Sequence, residues 1–134
     1  MSGDEHNAIA ETLVEMAANL ARTSTAALVA GELVWGAAIH ACVAIAHHLD
    51  WRPQHPRQKR ELDRLLTHAV AEHPVRADLI DGLNMVQRRL HNHFYTGQLG
   101  DIELAQYITG GIELVQRLID IASQTPRSSG SPVA

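Results

Sequence analysis

Residues 25–49, TAALVAGELVWGAAIHACVAIAHHL, are apolar on nearly every side. A helix with no polar face cannot lie on a protein surface; other elements have to surround it. The small residues Ala30, Gly31, Gly36, Ala37, Ala38, Ala41 and Ala44 allow other helices to approach closely. Residues 26–46 also have the length of a membrane span. However, Glu32 and His40 interrupt them, no cluster of basic residues flanks them, and no second such stretch follows. The expectation is therefore the central helix of a bundle. Aromatics make up only 4% of the chain, and alanine and leucine dominate, which argues against a β-sandwich or barrel.

The flanking segments carry helical periodicity. Residues 8–22 place Ile9, Leu13, Met16 and Leu20 on one face, expected to point inward. Thr23, Ser24 and Thr25 supply a cap for the apolar helix. Pro53 and Pro56 break the chain after it. Residues 57–73 form a third helix with Leu62, Leu65, Leu66 and Val70 inside, ended by Pro74. Residues 75–94 form a fourth, with Leu79, Leu83, Val86, Leu90 and Phe94 as its stripe. Thr96–Gly100 is a turn, and Asp101 caps a fifth helix over 102–122, with Ile102, Tyr107 or Ile108, Ile112, Val115, Leu118 and Ile119 inward. The expected architecture is all-α: an up-and-down helical bundle of four to five helices in one domain, 1–122. A Ser/Pro/Gly-rich tail over 123–134 is expected to be disordered. With 134 residues there is no room for a second sizeable core.

The formal charge is −4, which excludes a globally basic nucleic-acid binder, but the charge is uneven. Between Arg52 and Arg89 lie eight of the 11 basic residues against five acids, a local +3, with −7 over the rest. Such a patch can attract a phosphate backbone without binding it indiscriminately. From charge alone, a solvated helix start with Arg/Glu pairs is the favoured account of that pattern. Cys42 is the single cysteine and reads as an inert core thiol, so there is no disulfide framework. The acidic start, Met1 to His6, does not resemble a signal peptide, and a cytoplasmic location is expected. Trp35 and Trp51 read as packing residues.

Met85 to Gly97, MVQRRLHNHFYTG, gathers two arginines, two histidines, an amide and a phenol at a helix end before a glycine turn. These groups suffice to cleave RNA without a metal. Imidazole can take a proton from the ribose 2′-OH or deliver one to the leaving 5′-oxygen. Arginine can hold the phosphate and stabilise its developing charge. Tyrosine can orient the phosphate. Nine histidines raise the question of a metal, but no HExxH, Glu-x-x-His or Cys/His ligand spacing occurs. No metal or other cofactor is expected.

Arg88, four residues, His93, one residue, Tyr95 resembles the R-x(4)-H-x-Y signature of HEPN-superfamily ribonucleases, and is similar to that of the HepT-type toxins. Glu32 to Ala41, together with Leu90-His91 through Phe94-Tyr95, is similar to the paREP-type branch of small HEPN-like proteins. The resemblance covers about residues 8–122. It implies a dimeric helical bundle and a metal-independent endoribonuclease, the toxin of a toxin–antitoxin pair. Arg88, His93 and Tyr95 would then be catalytic, with Arg89, His91 and Asn92 contacting substrate. The implied partners are an RNA substrate, a second copy of the chain, and a nucleotidyltransferase-type antitoxin that modifies Tyr95. Arg89 departs from the small polar residue usual at its position, and the paREP-type pattern places its histidine at His91.

On a straight helix, with Arg88 at 0°, His91 falls at about 300°, Asn92 at about 40°, Tyr95 at about 340° and His93 at about 140°. The apolar stripe centres at about 190° by the same rotation. Arg88 and His93 then meet only if the arginine curls, the helix changes, or a second subunit contributes. Glu32, His40 and His47 lie within about 80° of one another. A buried Glu32 needs a partner, and an arginine of the fourth helix is the expected one. That stripe either fixes helix register or lines the site. A non-catalytic module binding a nucleotide, RNA or protein through the same face, and a purely structural dimer, are the other readings.

Overall fold

The computed structural model describes residues 1–21, 24–56, 58–97 and 99–124. Its helices are α1 (Gly3–Leu20), α2 (Ser24–His48), α3 (Lys59–Ala69), α4 (His73–Met85), a π-helical turn (Val86–His91), α5 (Asn92–Thr96) and α6 (Asp101–Gln124). No strand occurs among the described residues, so the chain is an all-α helical bundle. The α4, π-turn and α5 segments follow one another without a break where one helix was expected.

The α2 helix packs against α1, α3, α5, α6 and the π turn. It is long and apolar enough to cross a membrane, with a mean hydropathy of 1.8, yet 61% of that stretch is buried within the bundle. Ala30, Val34, Ala37, Ala38, Ala41 and Ala44 to Ala46 are fully enclosed. Cys42 lies among them, and burial pushes its thiol up to about 12, which keeps it protonated and unreactive.

The first helix differs from expectation. Ser2 accepts from the Glu5 amide while Glu5 reaches back to the Ser2 amide. This capping box starts α1 at Gly3, five residues early. Its buried face is Gly3, Asn7, Ala10, Val14 and Ala17, not Ile9, Leu13, Met16 and Leu20. Met16 is 47% exposed, and Leu13 and Leu20 pack from the flank. The reason is proximity: α1 seats between α2 and α6, and only small side chains fit in that contact. Asn7 holds it there, donating to the Ile119 carbonyl at 3.3 Å and Ser123 Oγ at 3.2 Å.

Other expectations shift by a turn or less. Val70 leaves the helical conformation (φ −114°, ψ 108°) and is half-buried. Pro74 does not stop α3; it sits in the first turn of α4, where a missing amide costs nothing. Leu79, Leu83, Val86 and Leu90 form the expected stripe, but Phe94 is only half-buried and His93 takes the inward position. Ile102 is 78% exposed, and Leu104 replaces it in the core. Asp101 lies in the first turn of α6 rather than before it, and α6 runs through Ser123 and Gln124, which were expected in the tail. The expected cap at 23–25 and the tail from 125 fall outside the described residues or side chains.

The antiparallel α1–α2 pair brings three histidines together. His6 Nδ1 lies 2.9 Å from His40 Nδ1, and the His6 ring meets His47 edge-on at 4.9 Å. His40 and His47 therefore face α1, not Glu32. Burial, then the neighbouring His47, His40 and N-terminal charges, outweigh Glu5 and lower His6 to about 4; burial lowers His40 and His47 too. The unfolded chain thus takes up protons first as pH falls below about 6.5. Stability is full above that value and declines as pH drops toward about 4. His6 remains partly open to solvent, so screening limits its share to about 1 kcal/mol, or about 4 °C in Tm. Thermal melts at pH 7.5 and 4.5 should show this loss, and His6→Gln should reduce it.

Candidate functional site

The site forms where α4 changes its winding. The Asn92 amide donates to the Gln87 carbonyl, five residues back. A turn closed by such bonds holds more than four residues, so each advances less than the 100° of an α-helix. Residues five apart, such as Arg88 and His93, are thereby drawn toward one face. Straight-helix geometry had set them far apart. The π turn is anchored by Val86 and Leu90, both buried. Leu90 lies against Gly31 of α2, where a Cβ would stand 3.8 Å from the Leu90 Cα and 3.4 Å from its Cδ2.

Beyond the π turn, α5 ends at Gly97, in the left-handed region at φ +64°, whose amide caps the His93 carbonyl at 2.8 Å. The chain then doubles back, so the Leu99 amide donates to His93 Nδ1 at 3.0 Å. His93 is 6% exposed. With Nδ1 accepting, the neutral ring carries its proton on Nε2, leaving a donor there.

Arg88, Arg89, Asn92, His93, Tyr95, Thr96 and Leu99 line a single pocket of about 440 Å³. Five of the six residues singled out in the sequence thus border one cavity. The two arginines are not equivalent. The Arg89 guanidinium lies over the Tyr107 ring at 5.6 Å, tethered to α6. Arg88 is exposed and has no ion pair among the described residues. Tyr95 is 72% exposed.

The sixth residue, His91, adjoins the pocket through the Tyr95 ring. Its Nδ1 lies 2.9 Å from Glu32 Oε1 and 3.0 Å from Oε2. Its ring lies over Trp35 at 5.3 Å, tilted 31°, and meets Tyr95 edge-on at 5.5 Å. The partner of Glu32 is therefore His91, not an arginine. An exposed arginine keeps its hydration, whereas a half-buried imidazole loses less by pairing with a half-buried carboxylate. Trp35 is more than packing: it is the floor under His91. The pairing was legible only as the need of Glu32 for a partner.

Among the described residues, no three His, Cys, Asp or Glu side chains are grouped to hold a metal ion. Comparison with family models, curated proteins and solved structures returned no match.

Proposed function

We propose that this bundle is an HEPN-like, metal-independent endoribonuclease. The observation that carries the reading is the pocket itself: Arg88, His93 and Tyr95, in R-x(4)-H-x-Y spacing, share one cavity with Arg89 and Asn92 at a π turn. Arg88 holds the scissile phosphate, and with no ion pair among the described residues its donors serve that task. His93 Nε2–H and the Tyr95 hydroxyl are further donors to the phosphate oxygens, where charge develops. Among the described residues, no carboxylate lines the pocket to repel an anion. The resemblance of the motif to HEPN ribonucleases carries with it a homodimer as the acting form. The exposed Tyr95 suits modification by a nucleotidyltransferase-type antitoxin.

The test is incubation of an end-labelled single-stranded RNA with the native chain in EDTA. Cleavage that persists in the chelator, leaving 2′,3′-cyclic phosphate and 5′-hydroxyl ends, is expected; cleavage that needs a divalent cation overturns the reading. One observation favours a second reading, a binding module without turnover: His93 is buried and committed to the Leu99 amide, as a structural histidine would be. Under that reading RNA stays intact while nucleotide or RNA raises Tm.

A further inference from the structure

The geometry points to His91, held by Glu32, as the group that moves the proton in this site. The inference rests on the ribonuclease reading above. An ionised carboxylate only accepts hydrogen bonds, so both Glu32 oxygens facing Nδ1 at 2.9 and 3.0 Å put the imidazole proton on Nδ1. Nε2 is then a lone pair, with no hydrogen-bond partner among the described residues. His93 is the reverse: its Nδ1 accepts from Leu99, so its Nε2 holds the proton and serves as a donor. Of the two imidazoles, only His91 is poised as a base.

Its surroundings are those of a working dyad. Trp35, buried, backs one side of the ring. Tyr95 touches the ring and also lines the phosphate pocket, so the base and the anion site share a wall. Side chains of Glu32 and His91 are 27% and 29% exposed, enough for access and dry enough for the carboxylate to act. Nε2 takes the proton of the 2′-hydroxyl as that oxygen bonds to phosphorus. The imidazolium is stabilised by Glu32. The P–O5′ bond breaks, and the 5′-oxygen receives the proton back, directly or through solvent, giving a cyclic phosphate and a 5′-hydroxyl. Glu32 is a positioning residue: it sets the tautomer and orientation of His91 without touching RNA.

The experiment pairs isosteric variants with a direct reading of the proton. His91→Asn keeps a donor for Glu32 but has no Nε2; His93→Asn keeps an acceptor for the Leu99 amide. Rates on an end-labelled single-stranded RNA in EDTA are measured for both, for Glu32→Gln and for the native chain, with Tm as the folding control. His91→Asn should lose about a hundredfold or more, the usual worth of a proton-transfer group. His93→Asn should lose about tenfold, the worth of one charge-assisted hydrogen bond. Glu32→Gln should lose about tenfold too, with the acid limb of its pH–rate profile moved to lower pH, a change that a merely structural contact would not cause. Imidazole ¹⁵N spectra of the native chain should place the His91 proton on Nδ1. A proton on Nε2, or native-rate cleavage by His91→Asn, overturns the inference while the ribonuclease reading stands. A native chain that leaves RNA intact overturns both.

Discussion

Arg88→Ala is expected to lower RNA cleavage about a hundred- to a thousand-fold, the usual cost of deleting one preorganised donor to a developing anion, and to leave the fold intact. Arg88 is exposed and makes no ion pair among the described residues. Its removal should therefore change stability by no more than about 0.5 kcal/mol. The neighbouring Arg89 cannot readily substitute, because its guanidinium is engaged over Tyr107. Arg88→Lys should recover part of the rate: it restores charge but not the planar fork that grips two phosphate oxygens. Single-turnover cleavage in EDTA, with melts alongside, checks this. Unchanged cleavage in Arg88→Ala would remove the phosphate-binding role and with it the reading of the pocket.

Leu90→Ala should cost about 2–5 kcal/mol, as deletions at fully buried leucines do. Leu90 is 1% exposed and is one of the two buried residues of the π turn. It fills the space between Gly31 of α2 and Gly111 of α6; a Cβ at Gly111 would stand 3.2 Å from its Cδ1 and 2.7 Å from Val34 Cγ1. Helices this close cannot collapse further to fill the cavity, which places the cost toward the upper end of that range. The urea midpoint should fall with an unchanged slope, whereas Ile102→Ala, at a 78% exposed position, should stay within about 0.5 kcal/mol. A midpoint unmoved by Leu90→Ala would mean that the π turn is not the packed anchor described above.

The candidate site was partly legible in the sequence. Residue type and clustering singled out Arg88, Arg89, Asn92, His93 and Tyr95, which border one pocket. Their convergence was not legible, because rotation along a straight helix separates Arg88 from His93, and the extra residue in the turn has no local sequence signature. The roles of the two histidines were not legible either. They follow from partners far along the chain or across a turn: Glu32, 59 residues away, for His91, and the Leu99 amide for His93.

What the sequence by itself determined is that the chain is an all-helical bundle with residues 25–49 at its centre. A segment apolar on every side has to be surrounded, and striped segments of matching length are what can surround it. Tertiary structure alone decided which face of α1 turns inward, where α4 takes its extra residue, and which imidazole meets a carboxylate. Each of these depends on how closely two distant backbones approach, and that distance is set by the glycines and alanines of α2 and α6 acting together.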